Sequence, residues 1–165
     1  MPRRPLVTAL GLVLAGGLTT VGAAHTHAAW SDFQEVKNNT VTAAVWRPDP
    51  PAACGPTSNY KGGIVYGTFG DDVIDLRQAN QAQIIMGLAG NDTIYGGNSG
   101  DCLVGGDGND KLYGGNAKDI LIGGAGDDYL NGGNAKDSLD GGGDASDICD
   151  GGNGKDTVTN CGSGS

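Results

Sequence analysis

Histidine is nearly absent. His25 and His27 are the only two, both within the first 28 residues. That excludes His-based general acid–base chemistry and the usual zinc sites from the rest of the chain; no H-E-x-x-H occurs. Glutamate is scarcer still, with Glu35 alone, so the acids are almost all Asp. Aromatic residues make up 5%, too few for a large packed core, and a small core needs staples. Ten basic residues face 19 acidic ones, a net charge of −9, which argues against a nucleic-acid partner. No G-K-[ST] follows a glycine loop, which excludes a P-loop. An ice-binding face would want regular outward threonine rows, and the outward repeat positions give mainly Thr93, Thr157 and Thr159. Close acid pairs such as Asp127–Asp128 imitate a glycosidase dyad, but they recur as turn residues. No enzyme is expected.

Long hydrophobic runs are missing as well. The longest, Leu6–Val21, is interrupted by Gly and Thr and is short for a membrane span. With Arg3 and Arg4 before it and small residues after it, up to Thr26-His27-Ala28, it reads as an export signal over residues 1–28. Its removal would leave a charge of −11 and no membrane span in the mature chain.

What is abundant is glycine, and it is ordered. From Gly67 onward the chain holds 25 of the 32 glycines and 16 of the 19 acids. A nine-residue phrase recurs: GTFGDDVID from Gly67, then from Gly87 GLAGNDTIY, GGNSGDCLV, GGDGNDKLY, GGNAKDILI, GGAGDDYLN, GGNAKDSLD, an uneven GDASDICD, and GGNGKDTVT. Self-similarity at a short fixed period is the signature of a solenoid.

Each position of the phrase has a physical role. Glycines at one, two and four allow backbone conformations closed to residues with a Cβ, and such a turn can aim several carbonyl oxygens at one point. Position six is always Asp: Asp72, Asp92, Asp101, Asp110, Asp119, Asp128, Asp137, Asp147 and Asp156. Carbonyl and carboxylate oxygens without Cys or His suit a hard cation such as Ca²⁺. Position eight is apolar: Ile74, Ile94, Leu103, Leu112, Leu121, Leu130, Leu139, Cys149 and Val158. Its neighbours at seven and nine point the other way along a short strand. Two phrases make one coil, and coils stack at the strand spacing of roughly 4.8 Å. Residues 76–86 interrupt the period and read as a looser coil, with Ile84 and Ile85 available to supply the missing inward residue.

The phrase resembles the RTX, or hemolysin-type, calcium-binding repeat G-G-x-G-x-D-x-U-x, with U a large apolar residue, over Gly67–Thr159. The resemblance implies an all-β fold: a right-handed parallel β-roll, a β-solenoid of nonapeptide repeats with a short N-terminal extension. It also implies several Ca²⁺ ions held between turns of successive coils on the same edge. Asp92, Asp110, Asp128 and Asp147 would line one edge, and Asp101, Asp119, Asp137 and Asp156 the other, with turn carbonyls such as those of Gly105, Gly106, Asp107, Gly108, Gly123, Gly124, Ala125 and Gly126 completing the sites.

The edges are unequal. One carries AGND, DGND and AGDD; the other carries NSGD, NAKD, NAKD and NGKD. Ser99, Ala117 and Ala135 replace the fourth glycine there, and Lys118, Lys136 and Lys155 sit beside the Asp residues. Either the lysine edge binds calcium more weakly, or each lysine points to solvent and trims excess negative charge.

Four cysteines in an exported chain suggest two disulfides, for which three connectivities exist. Cys149 and Cys161 flank the last repeat, where a bond would lock the open end. Cys102 stands at outward position seven on the face that also carries Val104, Ile120 and Ile122. A Cys54–Cys102 bond would lay residues 30–60 across that apolar patch, leaving Tyr95, Lys111, Tyr113 and Tyr129 on the opposite face. Within that region Ser31–Glu35 reads as a helical turn and Thr40–Trp46 as a strand. Its start, Ala29–Asp32 with Asn39–Ala43, resembles the mature start of camelysin-type biofilm-matrix proteins.

The expected organisation is a signal (1–28), an N-terminal flap or cap (29–63), a calcium-binding β-roll (64–161) and a tail (162–165). The expected function is a secreted, extracellular calcium-binding protein that folds on binding Ca²⁺ and serves as a structural, matrix or adhesion module facing a matrix or cell-surface partner. The alternative is a non-catalytic accessory fragment of a secreted enzyme or toxin system.

Overall fold

The computed structural model describes residues 47–143 and 146–162. The expected signal, helical turn and Thr40–Trp46 strand lie outside the described residues. Each apolar position eight, flanked by two outward residues, forms a short strand, and the glycine turns between strands fold the chain back every nine residues or so. Eleven strands result among the described residues: β1 (Ile64–Tyr66), β2 (Val73–Asp75), β3 (Ile84–Ala89), β4 (Thr93–Gly97), β5 (Cys102–Asp107), β6 (Lys111–Gly115), β7 (Ile120–Ala125), β8 (Tyr129–Gly133), β9 (Ser138–Gly142), β10 (Ile148–Asp150) and β11 (Thr157–Thr159). They alternate between two parallel sheets, ordered β1-β3-β5-β7-β9-β11 and β10-β8-β6-β4-β2. The fold is therefore the all-β, parallel β-roll expected from the repeat. In each middle pair, residues eighteen apart face one another, as in Leu103↔Leu121 and Leu112↔Leu130.

The core between the sheets is one row of side chains from each. Ile85, Ile94, Leu103, Leu112, Leu121, Leu130 and Leu139 are fully buried, with Val65, Ile74, Leu76 and Cys149 packed partly against them. Val158, expected inward, is 47% exposed. It belongs to β11, an edge strand of its sheet, which no further coil among the described residues covers.

Residues 76–86 form the coil that the sequence allowed, in closer register than expected. Only Leu76 and Arg77 are extra. Gln78–Met86 is a degenerate repeat in register with the next coil, pairing Ile84↔Cys102 and Ile85↔Leu103. Ile85 supplies the inward side chain, and Ile84 faces outward.

The outward face of the β1-to-β11 sheet is covered at its amino-terminal end. Cys54 is bonded to Cys102, and Cys54, Ile84, Met86, Cys102 and Val104 form a second buried cluster, with Tyr60, Ile64, Tyr66, Leu88, Ile120 and Ile122 at its margin. The strap over it is irregular, with two short 3-10 turns, Ala52–Cys54 and Thr57–Asn59; the Tyr60 hydroxyl donates to the Cys54 carbonyl at 2.7 Å. A second disulfide joins Cys149 to Cys161 across the last coil. On the opposite sheet Tyr95 and Tyr113 stack with centroids 4.8 Å apart, and Arg77 lies over Tyr95. No helix among the described residues is long and apolar enough to cross a membrane.

Candidate metal centre

The turns from the first sheet to the second form one edge of the roll, and the turns back form the other. Position six falls at the end of each turn, where the chain enters a strand, so its side chain is enclosed between coils. Asp92, Asp101, Asp110, Asp119, Asp128, Asp137 and Asp147 are all 2% exposed or less. Asp72 and Asp156, in the end coils, are half-buried.

One oxygen of each carboxylate has a fixed task. On the first edge, Oδ1 of Asp92, Asp110, Asp128 and Asp147 accepts the backbone N–H of Asp72, Asp92, Asp110 and Asp128, at 2.7–2.9 Å. On the second edge, Oδ1 of Asp101, Asp119, Asp137 and Asp156 accepts the N–H of Gln83, Asp101, Asp119 and Asp137, at 2.8–2.9 Å. The position-six residues thus run as two continuous ladders, grouped as the sequence spacing expects.

The other oxygen is the anomaly. Oδ2 of Asp92, Asp101, Asp110, Asp119, Asp137 and Asp147 is sealed from solvent without a hydrogen-bond partner. A buried carboxylate oxygen left so is costly, because a charge must be paired once water is removed. The turns leave space beside these oxygens. A Cβ on Gly132 would lie 2.6 Å from Asp137 Oδ2 and 2.7 Å from the Gly151 carbonyl oxygen; one on Gly114 would lie 2.5 Å from Asp119 Oδ2 and 2.7 Å from the Gly132 oxygen. The first glycine of the phrase therefore leaves a cradle between a carboxylate oxygen and a carbonyl oxygen of the following coil. Positive φ angles at Gly106 (121°) and Gly108 (126°) shape the turn in a way that residues with a Cβ resist.

Burial dominates the electrostatics. It pushes the Asp119 carboxyl up to about 8 and those of Asp101 and Asp110 up to about 6, against the opposing pull of the N–H bonds. Asp92 and Asp137 are raised for the same reason. Among the described residues no positive group relieves this inside the edges: Lys118, Lys136 and Lys155 are exposed.

Side chains alone do not close a site. Among the described residues no three His, Cys, Asp or Glu side chains converge, so the remaining donors must be backbone carbonyls. Of those expected, the Gly123 oxygen lies beside the Gly105 cradle. The Asp107 and Ala125 oxygens already accept the N–H of Gly90 and Gly108, at 2.9 and 2.7 Å, which leaves each one lone pair. The donor set is all oxygen, with buried unsatisfied negative charge and glycine-only space. It fits a hard cation.

Two further ladders escaped the sequence reading. On the second edge Asn80, Asn98, Asn116, Asn134 and Asn153 link amide to amide, Nδ2 of the last four each donating to the preceding Oδ1 at 2.9–3.2 Å. On the first edge, the side-chain oxygens of Asp71, Asn91 and Asn109 accept the N–H of Asn91, Asn109 and Asp127 at 2.7–3.0 Å. Position three is Asn in the second-edge copies that carry Asn98, Asn116, Asn134 and Asn153, and aligning a copy from Gln78 adds Asn80, so alternate copies carry the first ladder.

The fold and these edges define a metal-binding β-roll. The profile of the RTX calcium-binding nonapeptide repeat (4 copies) matches residues 79–112, 113–146 and 142–158; this stretch of the chain belongs to that family, and its repeats are calcium-binding repeats. No curated protein and no solved structure matches the chain.

Proposed function

We propose that the nine ladder aspartates and the turn carbonyls hold several calcium ions between coils along both edges, and that this binding is what makes the roll fold. The buried, unpartnered Oδ2 row supports this reading above all. Bound calcium supplies the positive charge that these oxygens lack, and the residues do the rest: Oδ1 locks the preceding coil, Oδ2 and the carbonyls face the ion, and glycines keep the space open. Without the ion the aligned carboxylates repel across coils only about 4.8 Å apart, and a core of single side chains per strand offers little against them. Binding free energy is then folding free energy.

The protein is exported and works outside the cell as a structural, matrix or adhesion module. Two disulfides suit an oxidising compartment, and the first 28 residues read as a signal. Extracellular calcium modules have dissociation constants of roughly 10⁻⁴–10⁻³ M, so the chain would stay unfolded in a low-calcium cytosol and fold after export. The test is circular dichroism across a calcium titration of the purified chain. Strand signal should appear cooperatively with calcium and vanish with chelator; full strand content in excess EGTA would reject the reading. A pull-down from the secreted fraction, with and without chelator, separates a matrix or cell-surface partner from the alternative role as accessory to an enzyme or toxin.

A further inference from the structure

The degenerate repeat Gln78–Met86 carries an amide where the others carry a carboxylate. Gln83 N–H donates to Asp101 Oδ1 at 2.8 Å, the same bond that Asp101 makes to Asp119 and Asp119 to Asp137. Gln83 is therefore the first rung of the second-edge ladder. Its Oε1 is buried without a hydrogen-bond partner, as is Oδ2 of the three aspartates that follow.

The preceding coil explains why no donor reaches it. Ile64 pairs with Ile84, so the residue across from Gln83 is Gly63, and the Gly63 N–H is turned to the Tyr60 carbonyl at 3.0 Å. The neighbouring Gly62 makes room for the longer side chain: a Cβ there would collide with Gln83 Cγ and lie 3.0 Å from Cδ. The backbone thus accommodates an amide at this rung and leaves its oxygen facing inward with nothing to accept from.

We propose that Gln83 Oε1 is a cation ligand, and that the 83–101 rung forms an additional calcium site at the amino-terminal end of the second edge. Amide carbonyl oxygens are ordinary calcium donors. A neutral donor in place of a carboxylate removes one negative charge from the site, so this site fills last. The inference rests on the reading that the aspartate ladders hold calcium.

Native mass spectrometry and calcium titration calorimetry on the full, disulfide-intact chain test it, with circular dichroism at saturating calcium to establish folding. Gln83→Ala should bind one ion fewer than wild type. Gln83→Glu should keep the ion count and tighten the weakest step about tenfold, since a full charge then faces the ion. Should Gln83→Ala fail to fold, the Gln83→Glu titration decides alone. A wild-type ion count and weakest step retained in the variants overturn the assignment and leave a buried water as the partner of Oε1. A wild-type chain that binds no calcium at all fails the ladder reading instead, which is a separable result.

Discussion

Asp119 sits midway along the second edge, fully buried, with one oxygen bonded and one not. Its folded carboxyl is raised to about 8, and those of Asp101 and Asp110 to about 6, from an ordinary 3.8. A carboxyl raised on folding binds its proton more tightly in the folded chain. Its stabilising contribution is complete below about 3.8 and is lost as pH climbs through 6 to 8. The calcium-depleted chain should therefore gain strand signal as pH falls from 8 to 5, while calcium affinity, which needs the ionised forms, weakens over the same interval. Circular dichroism and titration at both pH values measure the two trends, which oppose each other. Ala117 and Ala135 make a second residue-scale case, holding φ at 71° and 90°, where a Cβ costs about 1 kcal/mol or more. Ala117→Gly and Ala135→Gly should each stabilise the calcium-loaded roll by about 1 kcal/mol, read as a higher Tm.

At the scale of strands and ladders, the stabilising unit is a column running through the coils. Leu121 is fully buried between Leu103 and Leu139. Leu121→Ala leaves a hole in a core one side chain deep, with a cost of about 2–5 kcal/mol and a calcium folding midpoint displaced to higher concentration. Asn116 donates one amide bond and accepts another. Asn116→Ala should cost about 1–2 kcal/mol in chemical denaturation, more than an ordinary exposed substitution. The inward column and both aspartate rows were legible because each depends on a single position repeating at a fixed interval. Of the asparagine column only Asn80 was hidden by Leu76 and Arg77, two added residues that shift the phase before Gln78; the other four stand in NSGD, NAKD, NAKD and NGKD, where nothing in the spacing says that their side chains bond to one another. The absence of glycine and of Asp from QANQAQIIM concealed the register of the same coil, although its backbone takes up the pairing that its neighbours impose. The inward assignment of Val158 failed because periodicity describes the direction of a side chain and says nothing of whether a further coil covers it.

At the scale of the whole molecule, the roll has two staples and two unlike ends. The Cys54–Cys102 bond spans 48 residues, a closure worth roughly 4 kcal/mol in chain entropy. It pins the strap over Ile84, Met86 and Val104. A Cys54→Ser/Cys102→Ser chain should remain a calcium-loaded roll by circular dichroism yet become open to trypsin at Lys61, which Gly62 follows, since the strap has little regular structure of its own. The outward apolar patch was readable from sequence as alternate positions on one face, and the Cys54–Cys102 pairing indicated what lies across it; the two short 3-10 turns of the strap were not, because no period governs them.

The carboxylate hooks all reach backwards. Each later repeat closes its Oδ1 over the backbone of the repeat 18 to 20 residues before it. A channel threaded amino end first delivers the earlier repeat before its latch. Assembly is then a ratchet that clicks once per incoming turn, and the Cys149–Cys161 bond, formed last, is the pawl that stops it running back.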